Sequence, residues 1–277
     1  TFVRPALIGE HVTTTIRLVS ERSVEGRFGG TTAVRDYEIR YRGSTSGDLA
    51  TAVSTLFFVD ANEARQREKF ADWKRWRYTP DQLQEIEDAS DNEGQRYEQS
   101  PQVLYGDDVH VDDALPPIVR GPLTSEEMTL FVGATHPSAG LESFTRARLS
   151  GTVPTFLHPR SGVFETYAAG LIDDVSAREM GYPAAHDAGI DRISYLASLV
   201  TSWMGPLGTL SRLSVRLDEP HMLGDTSWCH GRVSEVTSEG LTATATVQLE
   251  VRNQAGTVTA RGDAGVTLPT RGATPTT

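Results

Sequence analysis

The sequence predicts an α+β protein in which one antiparallel β unit occurs twice. Three observations indicate this. Strand-like segments cluster near both ends of the 277-residue chain, a similar proline- and glycine-containing segment introduces each cluster, and an amphipathic helix precedes the second. Such a repeat sets the architecture, because each copy must bury the same face in the same way. Two copies also fit a chain too long for one ordinary domain.

The first copy lies near the N-terminus. Three of its segments are rich in Thr, Val, Ile, Phe and Tyr, which favour strands: 11–19, 31–41 and 49–59. Stretches with glycine, at 29–30 and 43–47, separate them. The alternation of strands and turns predicts a meander, and the segment from Pro5 to Glu10 introduces it.

The second copy lies near the C-terminus and follows the same plan. Pro220 to Asp225 resembles Pro5 to Glu10, with glycine at the equivalent place in both. Three strands are predicted behind it: 227–236, 241–251 and 258–268. A turn before the last strand occurs in both copies, and in the second copy it falls at 253–256.

A helix at 190–204 precedes the second meander. Its apolar residues recur at spacings of three and four, as on one face of a helix: Ile190, Ile193, Leu196, Val200 and Trp203. Gly205-Pro206 ends it. At 1.5 Å per residue it spans about 22 Å, enough to serve as the core helix of a curled sheet. No equivalent helix precedes Pro5, so the first copy is expected to be incomplete at its N-terminal end.

Two helix starts stand out between the copies. Thr79-Pro80-Asp81-Gln82 and Thr124-Ser125-Glu126-Glu127 both have the form of a capping box. The charged stretch 85–97 predicts a solvated helix that links the copies, whereas 133–162 reads as a loop, with a lid as one interpretation. The tail 272–277 is expected to be disordered. These features suggest an N-terminal domain 1–75, a helical linker 76–100 and a C-terminal domain 101–277.

Composition excludes several classes of function. The formal charge of −11 and pI near 5.1 argue against nucleic-acid binding, which needs clustered Lys and Arg. Cys229 is the only cysteine, so no intrachain disulfide forms, and a reducing cytoplasm is the expected location. No apolar run approaches the ~20 residues of a membrane helix. No nucleophile elbow, phosphate-binding glycine loop or zinc-ligand cluster occurs, so neither a metal nor a cofactor is expected.

One segment carries a family resemblance. Residues 171–183 read Leu-Ile-Asp-Asp-Val-Ser-Ala-Arg-Glu-Met-Gly-Tyr-Pro, which resembles the short helix of MaoC-like acyl dehydratases, the family of R-specific enoyl-CoA hydratases. The family pattern D-x-x-x-A-x-x-x-G-x-P is met by Asp173, Ala177, Gly181 and Pro183, and its later P-x-x-x-G-D segment by Pro220 to Asp225. Further phrases are similar to a long two-hotdog subgroup: 78–83, 121–124, 203–205 and 268–271. The resemblance spans most of 4–271.

The resemblance implies a double hotdog fold, in which antiparallel sheets wrap around a central helix and join side by side. It also implies that an acyl-CoA or acyl-carrier thioester is the substrate, held between the two hotdogs. Family members hydrate trans-2-enoyl-CoA or dehydrate 3-hydroxyacyl-CoA with an Asp and a His, while a backbone N–H holds the thioester oxygen. A homodimer, or a heteromer with another hotdog chain, is the expected assembly.

The sequence departs from the family at the catalytic pair. Alignment on Asp173 and Ala177 places Thr166 at the position of the catalytic Asp and Leu171 at that of the His. Neither side chain transfers protons. Two alternatives to a hydratase therefore stay open: a non-catalytic thioester-binding subunit whose partner carries the pair, and a hotdog thioesterase, which needs a carboxylate facing the thioester.

His186 and Asp187 are the first substitute for the missing pair. Hydration needs an acid–base pair beside one water, and these residues lie just before the main helix, where free backbone N–H groups and the helix dipole favour an oxyanion. The alternative is that Asp187 caps the helix and His186 is a loop residue. Asp173 is the third catalytic candidate, with a helix-capping role as its alternative. Gly189 is a candidate for close approach of substrate to the backbone.

Two further residues are candidates for substrate binding. Arg192 lies one turn into the main helix and matches an arginine of the subgroup; its alternative is a buried pair with a carboxylate. Trp203 offers a platform for substrate, although the helical spacing equally makes it a core residue. His136 and His158 lie in the expected loop region, where histidine suits acid–base chemistry, but no spacing to other residues distinguishes either from an ordinary loop histidine.

Overall fold

The structure is a computed structural model, and it describes residues 1–45, 47–98, 103–135 and 155–272. Parts of three sequence expectations fall outside these ranges. His136 and its neighbour Pro137, the centre of the expected lid and the tail from residue 273 are not among the described residues.

The chain is an α+β protein of antiparallel strands and helices, as the sequence predicts. Its strands and α-helices follow one another in this order: β1 (Val12–Gly26), β2 (Gly30–Gly43), β3 (Gly47–Phe58), α1 (Ala61–Arg67), α2 (Pro80–Glu98), β4 (Ile118–Arg120), α3 (Ser125–Thr135), β5 (Thr155–Leu157), β6 (Phe164–Thr166), α4 (Asp174–Glu179), α5 (Ile190–Met204), β7 (Thr209–Leu217), β8 (Ser227–Glu239), β9 (Thr242–Arg252) and β10 (Val258–Pro269). The six strands expected in the two meanders are all present, and α5 has the bounds predicted for it.

The chain divides into two units. The C-terminal unit consists of Trp76–Leu123 and Gly189–Thr277, with Thr1, and the N-terminal unit consists of Phe2–Arg75 and Thr124–Ala188. This division differs from the consecutive domains suggested by the sequence, because 76–100 belongs with the second meander and 124–188 belongs with the first. The physical reason is that α2 packs against β4, which pairs with β8, whereas α4 packs against α1.

The C-terminal unit is built on a five-stranded sheet with the order β4-β8-β9-β10-β7. Helix α5 buries its apolar face against this sheet. Leu196, Leu199 and Val200 are buried in one cluster with side chains of β8, β9 and β10, and Trp203 packs at its border. Burial of each such side chain contributes about 1.5–3 kcal/mol, so the amphipathic pattern of α5 accounts for its place in the core.

The N-terminal unit contains a three-stranded sheet with the order β1-β2-β3 and a separate hairpin of β5 and β6. The short helix α4 follows the hairpin after a 3₁₀ turn at Tyr167–Leu171. Gly181, just beyond α4, has φ +86, and a Cβ there would lie 2.7 Å from that of Ala64 in α1. Close packing of α1 on the α4 segment therefore requires glycine at 181.

Both predicted capping boxes are confirmed. The Gln82 N–H donates to the Thr79 hydroxyl at 3.3 Å while the Gln82 side chain accepts from the Thr79 N–H. The Glu127 N–H donates to the Thr124 hydroxyl at 3.1 Å, and the Glu127 carboxylate accepts from the Thr124 N–H at 2.8 Å. These bonds satisfy N–H groups that the first turn of a helix leaves open, which fixes where α2 and α3 begin.

None of the helices within the described ranges combines the length and the apolar character needed to cross a membrane.

Candidate acid–base site

A histidine and an aspartate meet in the N-terminal unit, at the turn of the β5–β6 hairpin. His158 follows β5, and the turn that it begins is closed by two backbone bonds: His158 N–H to the Val163 carbonyl and Gly162 N–H to the His158 carbonyl, both at 2.9 Å. Gly162 has φ +66, a conformation that favours glycine and lets the chain reverse. The hairpin thus turns the His158 ring inward, where the residue is 9% exposed.

Both nitrogens of the His158 ring have partners. Nδ1 accepts the backbone N–H of Ser161 at 3.1 Å and lies 3.1 Å from the Ser161 hydroxyl. Nε2 lies 3.3 Å from Oδ2 of Asp173. Because Nδ1 accepts from an N–H, the neutral ring carries its proton on Nε2 and donates it to the carboxylate. The ring is therefore held in one tautomer.

Asp173 reaches this position as the N-cap of α4. Its Oδ2 accepts the Ser176 N–H at 2.7 Å, the bond that starts the helix, so the capping role expected as an alternative is confirmed. The capping geometry and the His158 contact use the same oxygen. The Asp173 side chain is 41% exposed, so the carboxylate remains open to water while it is bound to His158.

A serine and a glutamate extend the network. The Ser176 hydroxyl donates to Oε2 of Glu165 at 3.2 Å, and Glu165 belongs to β6. We call His158, Ser161, Glu165, Asp173 and Ser176 the hairpin site. It brings two carboxylates, an imidazole and two hydroxyls together from the hairpin and α4.

The hairpin site favours an ionised Asp173. Partial burial raises the pKa of Asp173, but hydrogen bonds from the backbone and side chain of Ser176 and from His158 outweigh it, so the pKa lies below its usual value. A carboxylate of this kind stays charged at neutral pH and orients the imidazole. The pair can therefore hold a water molecule and exchange a proton with it.

The expected pair of His186 and Asp187 has a different arrangement. Nδ1 of His186 donates to the backbone carbonyl of Asp187 at 2.8 Å, and the ring lies 4.2 Å from that of Tyr182. Asp187 is buried. Burial, followed by the charge of Asp187, raises the pKa of Tyr182. His186 thus belongs to an aromatic cluster with Tyr182, Phe28 and Phe70.

The structure also shows which of Asp187 and Gly189 begins α5. Gly189, not Asp187, is the N-cap of α5, so the alternative cap role for Asp187 is wrong. Gly189 has φ +73, and a Cβ there would lie 2.6 Å from Cδ1 of Leu217. The helix begins at a backbone conformation that an Asp side chain does not favour, which accounts for the shift of the cap.

Arg192 is buried at 2% exposure and holds the C-terminal unit together. Its Nη1 donates to the backbone carbonyls of Glu219, at 2.8 Å, and Thr259, at 2.7 Å. Both bonds lie inside the fold, so the guanidinium has a structural role. The alternative expected for Arg192 is a buried pair with a carboxylate, and these two bonds go to backbone carbonyls instead.

Trp203 packs at the edge of the core and lines a cavity of about 100 Å³. The cavity also contacts Leu199, Ser202 and the Arg96 side chain. A drug-sized ligand needs roughly 300 Å³ or more, so this cavity is too small for an acyl chain with its pantetheine. The geometry therefore favours the core role of Trp203 that the helical spacing allows.

The two substituted family positions lie beside the hairpin site in sequence. Thr166 ends β6, and Leu171 ends the 3₁₀ turn that follows. His158, the residue that meets Asp173, lies 15 positions before it. The sequence shows no regular spacing between His158 and Asp173, because the length of the segment that connects them does not follow from a repeating pattern. A weak signal existed in Ser161-Gly162, a turn dipeptide that closes a hairpin behind His158.

Solved structures of MaoC-like dehydratases share this fold. One MaoC-like dehydratase is 15% identical, with 96% of this chain and 72% of that chain covered and a TM-score of 0.61. A protein described as a MaoC domain protein dehydratase from Chloroflexus aurantiacus J-10-fl is 13% identical, with 95% and 71% covered and a TM-score of 0.54. No protein-family model and no curated protein matches the chain. At these identities the likeness establishes the fold.

Proposed function

Since this chain has the hotdog fold of the MaoC-like dehydratases, we propose that it binds an acyl thioester and adds water to it, or removes water from it, at the hairpin site. The observation that carries the proposal is the 3.3 Å contact between Nε2 of His158 and Oδ2 of Asp173. It supplies an acid–base pair although Thr166 and Leu171 stand at the family's catalytic positions. The substrate is an acyl-CoA or acyl-carrier thioester, and the reaction needs no cofactor.

In the proposed reaction the His158–Asp173 pair first takes a proton from water and later gives a proton back. A water held by Asp173 attacks the β-carbon of an enoyl thioester and gives one proton to the His158–Asp173 pair, while the π electrons move to the thioester oxygen as an enolate. The pair then returns a proton to the α-carbon. The C=C π bond is replaced by one C–O and one C–H bond, and the pair regains its original protonation state.

Asp173 is exposed and His158 is buried, so the two residues have different roles in the proposed reaction. Asp173 faces solvent and takes the proton from the attacking water, whereas His158 is fixed by Ser161 and donates its Nε2 proton to that carboxylate. A carboxylate with a lowered pKa is a weak base by itself. The imidazole places a second exchangeable proton beside the carboxylate, so the pair can both take and return a proton.

The test is turnover of enoyl-CoA substrates by wild type, His158→Gln and Asp173→Asn. We measure absorbance of the enoyl-thioester band with crotonyl-CoA and with bulkier enoyl-CoAs. Loss of the pair should lower kcat/KM by about 10²–10⁴-fold, the usual contribution of a positioned acid or base. Asn is as good an N-cap as Asp, so Asp173→Asn should fold normally.

A matched control comes from a second His–Asp pair in the C-terminal unit. Nδ1 of His110 lies 3.8 Å from Asp113, and the His110 side chain is 75% exposed. His110→Gln makes the same substitution at an exposed imidazole outside the hairpin site and should leave turnover unchanged. If wild type turns over enoyl-CoA and His158→Gln is equally active, the hairpin site is not the catalytic site, and His186 and the buried Asp187 become the next pair to test.

Thr166 and Leu171 favour one second candidate, a thioester-binding subunit that is not catalytic by itself. In that case the protein binds acyl-CoA but shows no turnover alone, and activity appears only with a second hotdog chain. Equilibrium binding of acyl-CoA, together with the mass in solution, separates the two. An active homodimer excludes the second candidate, and acyl-CoA binding without turnover excludes the first.

A thiol reagent in the same assay separates the thioesterase alternative. Hydrolysis of the thioester releases free CoA, whereas hydration retains it.

A further inference from the structure

A groove of about 960 Å³ crosses the face of the five-stranded sheet that points away from α5. Side chains alternate along β7: Leu213 and Val215 pack against the core cluster of α5, so Ser214 and Arg216 point to the opposite face. We call this cavity the outer-face groove. All its lining residues belong to the C-terminal unit, and its volume lies within the range of small-molecule sites, about 300–1,000 Å³.

Basic side chains outnumber acidic ones in this groove. Its charged residues are four arginines and two acids: Arg216, Arg232, Arg252, Arg261, Glu250 and Asp263. The chain as a whole carries a formal charge of −11, so this local excess of positive charge runs against the average of the surface. A cleft with an excess of one sign of charge attracts ligands of the opposite sign. The outer-face groove therefore suits an anion.

Both acids of the groove already bind arginines. Glu250 accepts from Nε of Arg252 at 2.6 Å and from Nη2 of the same residue at 2.9 Å. Asp263 forms an ion pair with Arg212. Because each carboxylate is used by its own arginine, neither is left to neutralise Arg216 or Arg261.

Arg216 and Arg261 form a pair of like charges. They lie directly opposite each other across β7 and β10, so their side chains share the outer face. Like charges at such positions destabilise a sheet. One carboxylate binds both: Nε of Arg216 donates to Oδ1 of Asp218 at 2.7 Å, and Nε of Arg261 donates to Oδ2 at 2.7 Å. Two positive charges thus share one negative charge, and one positive charge stays uncompensated.

Asp218 determines which donors the two arginines present. Its side chain is 20% exposed, and its backbone N–H donates to the Thr259 carbonyl at 2.9 Å, so the carboxylate is held in place. Both arginines bind it through Nε, which leaves their Nη groups for a ligand. Within the part of the chain that the structure describes, none of these Nη atoms has a hydrogen-bond partner. The side chains are 70% exposed for Arg216 and 55% for Arg261, so a ligand can reach them.

We propose that the Nη groups of Arg216 and Arg261 bind the phosphate group of a phosphate monoester, with the rest of the ligand in the outer-face groove. Such a group carries about −1.5 to −2 charges and three acceptor oxygens, so it accepts N–H groups from both guanidinium groups at once. A carboxylate has two oxygens in one plane, and a single guanidinium satisfies it. Ser214 and Gln248 line the same groove and offer hydroxyl and amide groups to the rest of the ligand. The inference does not rest on the proposed function.

The experiment is a titration of the full chain, followed by nuclear magnetic resonance of the arginine Nε–H groups at constant ionic strength, with chloride as the exchanged anion. We expect inorganic phosphate to shift the signals of Arg216 and Arg261 with a Kd of about 1 mM. Ribose 5-phosphate should bind at least as tightly, because the groove has room for the sugar. Arg216→Gln and Arg261→Gln should each weaken binding roughly tenfold, since each removes one charged donor group.

Arg271→Gln is the matched control. Its side chain is 60% exposed and pairs with Asp108 in the same unit, but it does not line the groove. This variant makes the same change of residue type and of net charge, and it should bind phosphate as wild type does. A loss of affinity equal to that of Arg216→Gln would show that phosphate responds to net charge alone, which contradicts the proposed site.

Two further outcomes overturn the proposal. One is the absence of saturable shifts with either phosphate probe up to about 50 mM, well above the expected Kd. The other is acetate that binds as tightly as inorganic phosphate, because the site would then not select a phosphate group.

A competition arm identifies the source of the phosphate, since CoA also carries a phosphate monoester. If CoA displaces ribose 5-phosphate and loses affinity in Arg216→Gln and Arg261→Gln, the phosphate belongs to the thioester substrate. If CoA binds wild type and both variants equally, the ligand is a separate phosphate ester. Both results keep the phosphate site, and neither depends on turnover at the hairpin site.

Discussion

The Nη1 atom of Arg192 lies 2.7 Å from the backbone carbonyl oxygen of Thr259. This bond fixes the first turn of α5 to the bulge at the start of β10, and the second bond to the Glu219 carbonyl fixes the segment before β8. One buried side chain therefore joins the helix, the last strand and the approach to the meander.

We expect Arg192→Met to lower the free energy of unfolding by about 2–4 kcal/mol, because two buried carbonyl oxygens lose a charged donor. Urea unfolding measures the loss. Arg232→Met is the control, since Arg232 is a 61% exposed side chain on β8, and it should change stability by no more than about 0.5 kcal/mol. Equal effects of the two substitutions would contradict the anchoring role.

Gly189→Ala should destabilise the protein for two separable reasons. The positive φ of 73 strains an alanine, and its Cβ would lie 2.6 Å from Leu217. Together these should cost about 1–3 kcal/mol. Gly256 has φ +78 with no atom within 4 Å of a built Cβ, so Gly256→Ala measures the backbone strain alone.

A double-mutant cycle with Leu217→Ala measures how much of the cost of Gly189→Ala comes from the contact with Leu217. In a Leu217→Ala background the cost of Gly189→Ala should fall to that of Gly256→Ala, as thermal unfolding of the single and double variants would show. A cost unaffected by Leu217→Ala would mean that the leucine moves aside without penalty.

Cys229 should be inert in the folded protein. Its side chain is fully buried in β8, and burial raises the pKa of its thiol to about 12. A thiol reagent at pH 8 should therefore react only after unfolding, with a rate that rises with urea. Since Cys229 is the sole cysteine, Cys229→Ala gives the background. Labelling at the rate of a free thiol without urea would show that β8 opens locally.

Asp173 should make stability depend on pH at the acid end. Its folded-state pKa is lowered, so its contribution is complete above the unfolded value near 3.9 and is lost as pH falls through the folded one. Asp173→Asn keeps the cap but has no charge, so wild type should be the more stable near pH 6, and the difference should shrink as the pH falls below the unfolded value.

The capping contribution of Asp173 needs a second variant. Asp173→Ala removes the cap as well and should cost about 1 kcal/mol more than Asp173→Asn at all pH values. Unfolding titrations of both variants between pH 3 and 7 check this. A difference between wild type and Asp173→Asn that is constant across that range would rule out the lowered pKa.

Much of the fold follows from local patterns. The strands of both meanders, the bounds of α5 and the caps at Thr79 and Thr124 depend on residue type and spacing within a few turns. Short-range sterics and hydrogen bonding decide such features, so the sequence predicts them. The α+β class follows from them in turn.

The hairpin site required the folded chain. His158 and Asp173 are neighbours because β5 and β6 pair and because the 3₁₀ turn then places α4 beside the hairpin. No periodic pattern in the sequence predicts either the pairing of β5 with β6 or the position of α4. The same holds for Arg192, whose carbonyl partners lie 27 and 67 residues away along the chain.

By itself the sequence determined that this protein repeats one β meander and places an amphipathic helix before the second copy. Periodicity and turn residues act over short distances, and they are sufficient for that. Only the tertiary structure decided which segments share a unit and which histidine meets Asp173. Those outcomes depend on pairing and burial between distant segments, whose free energies arise only when the chain has folded.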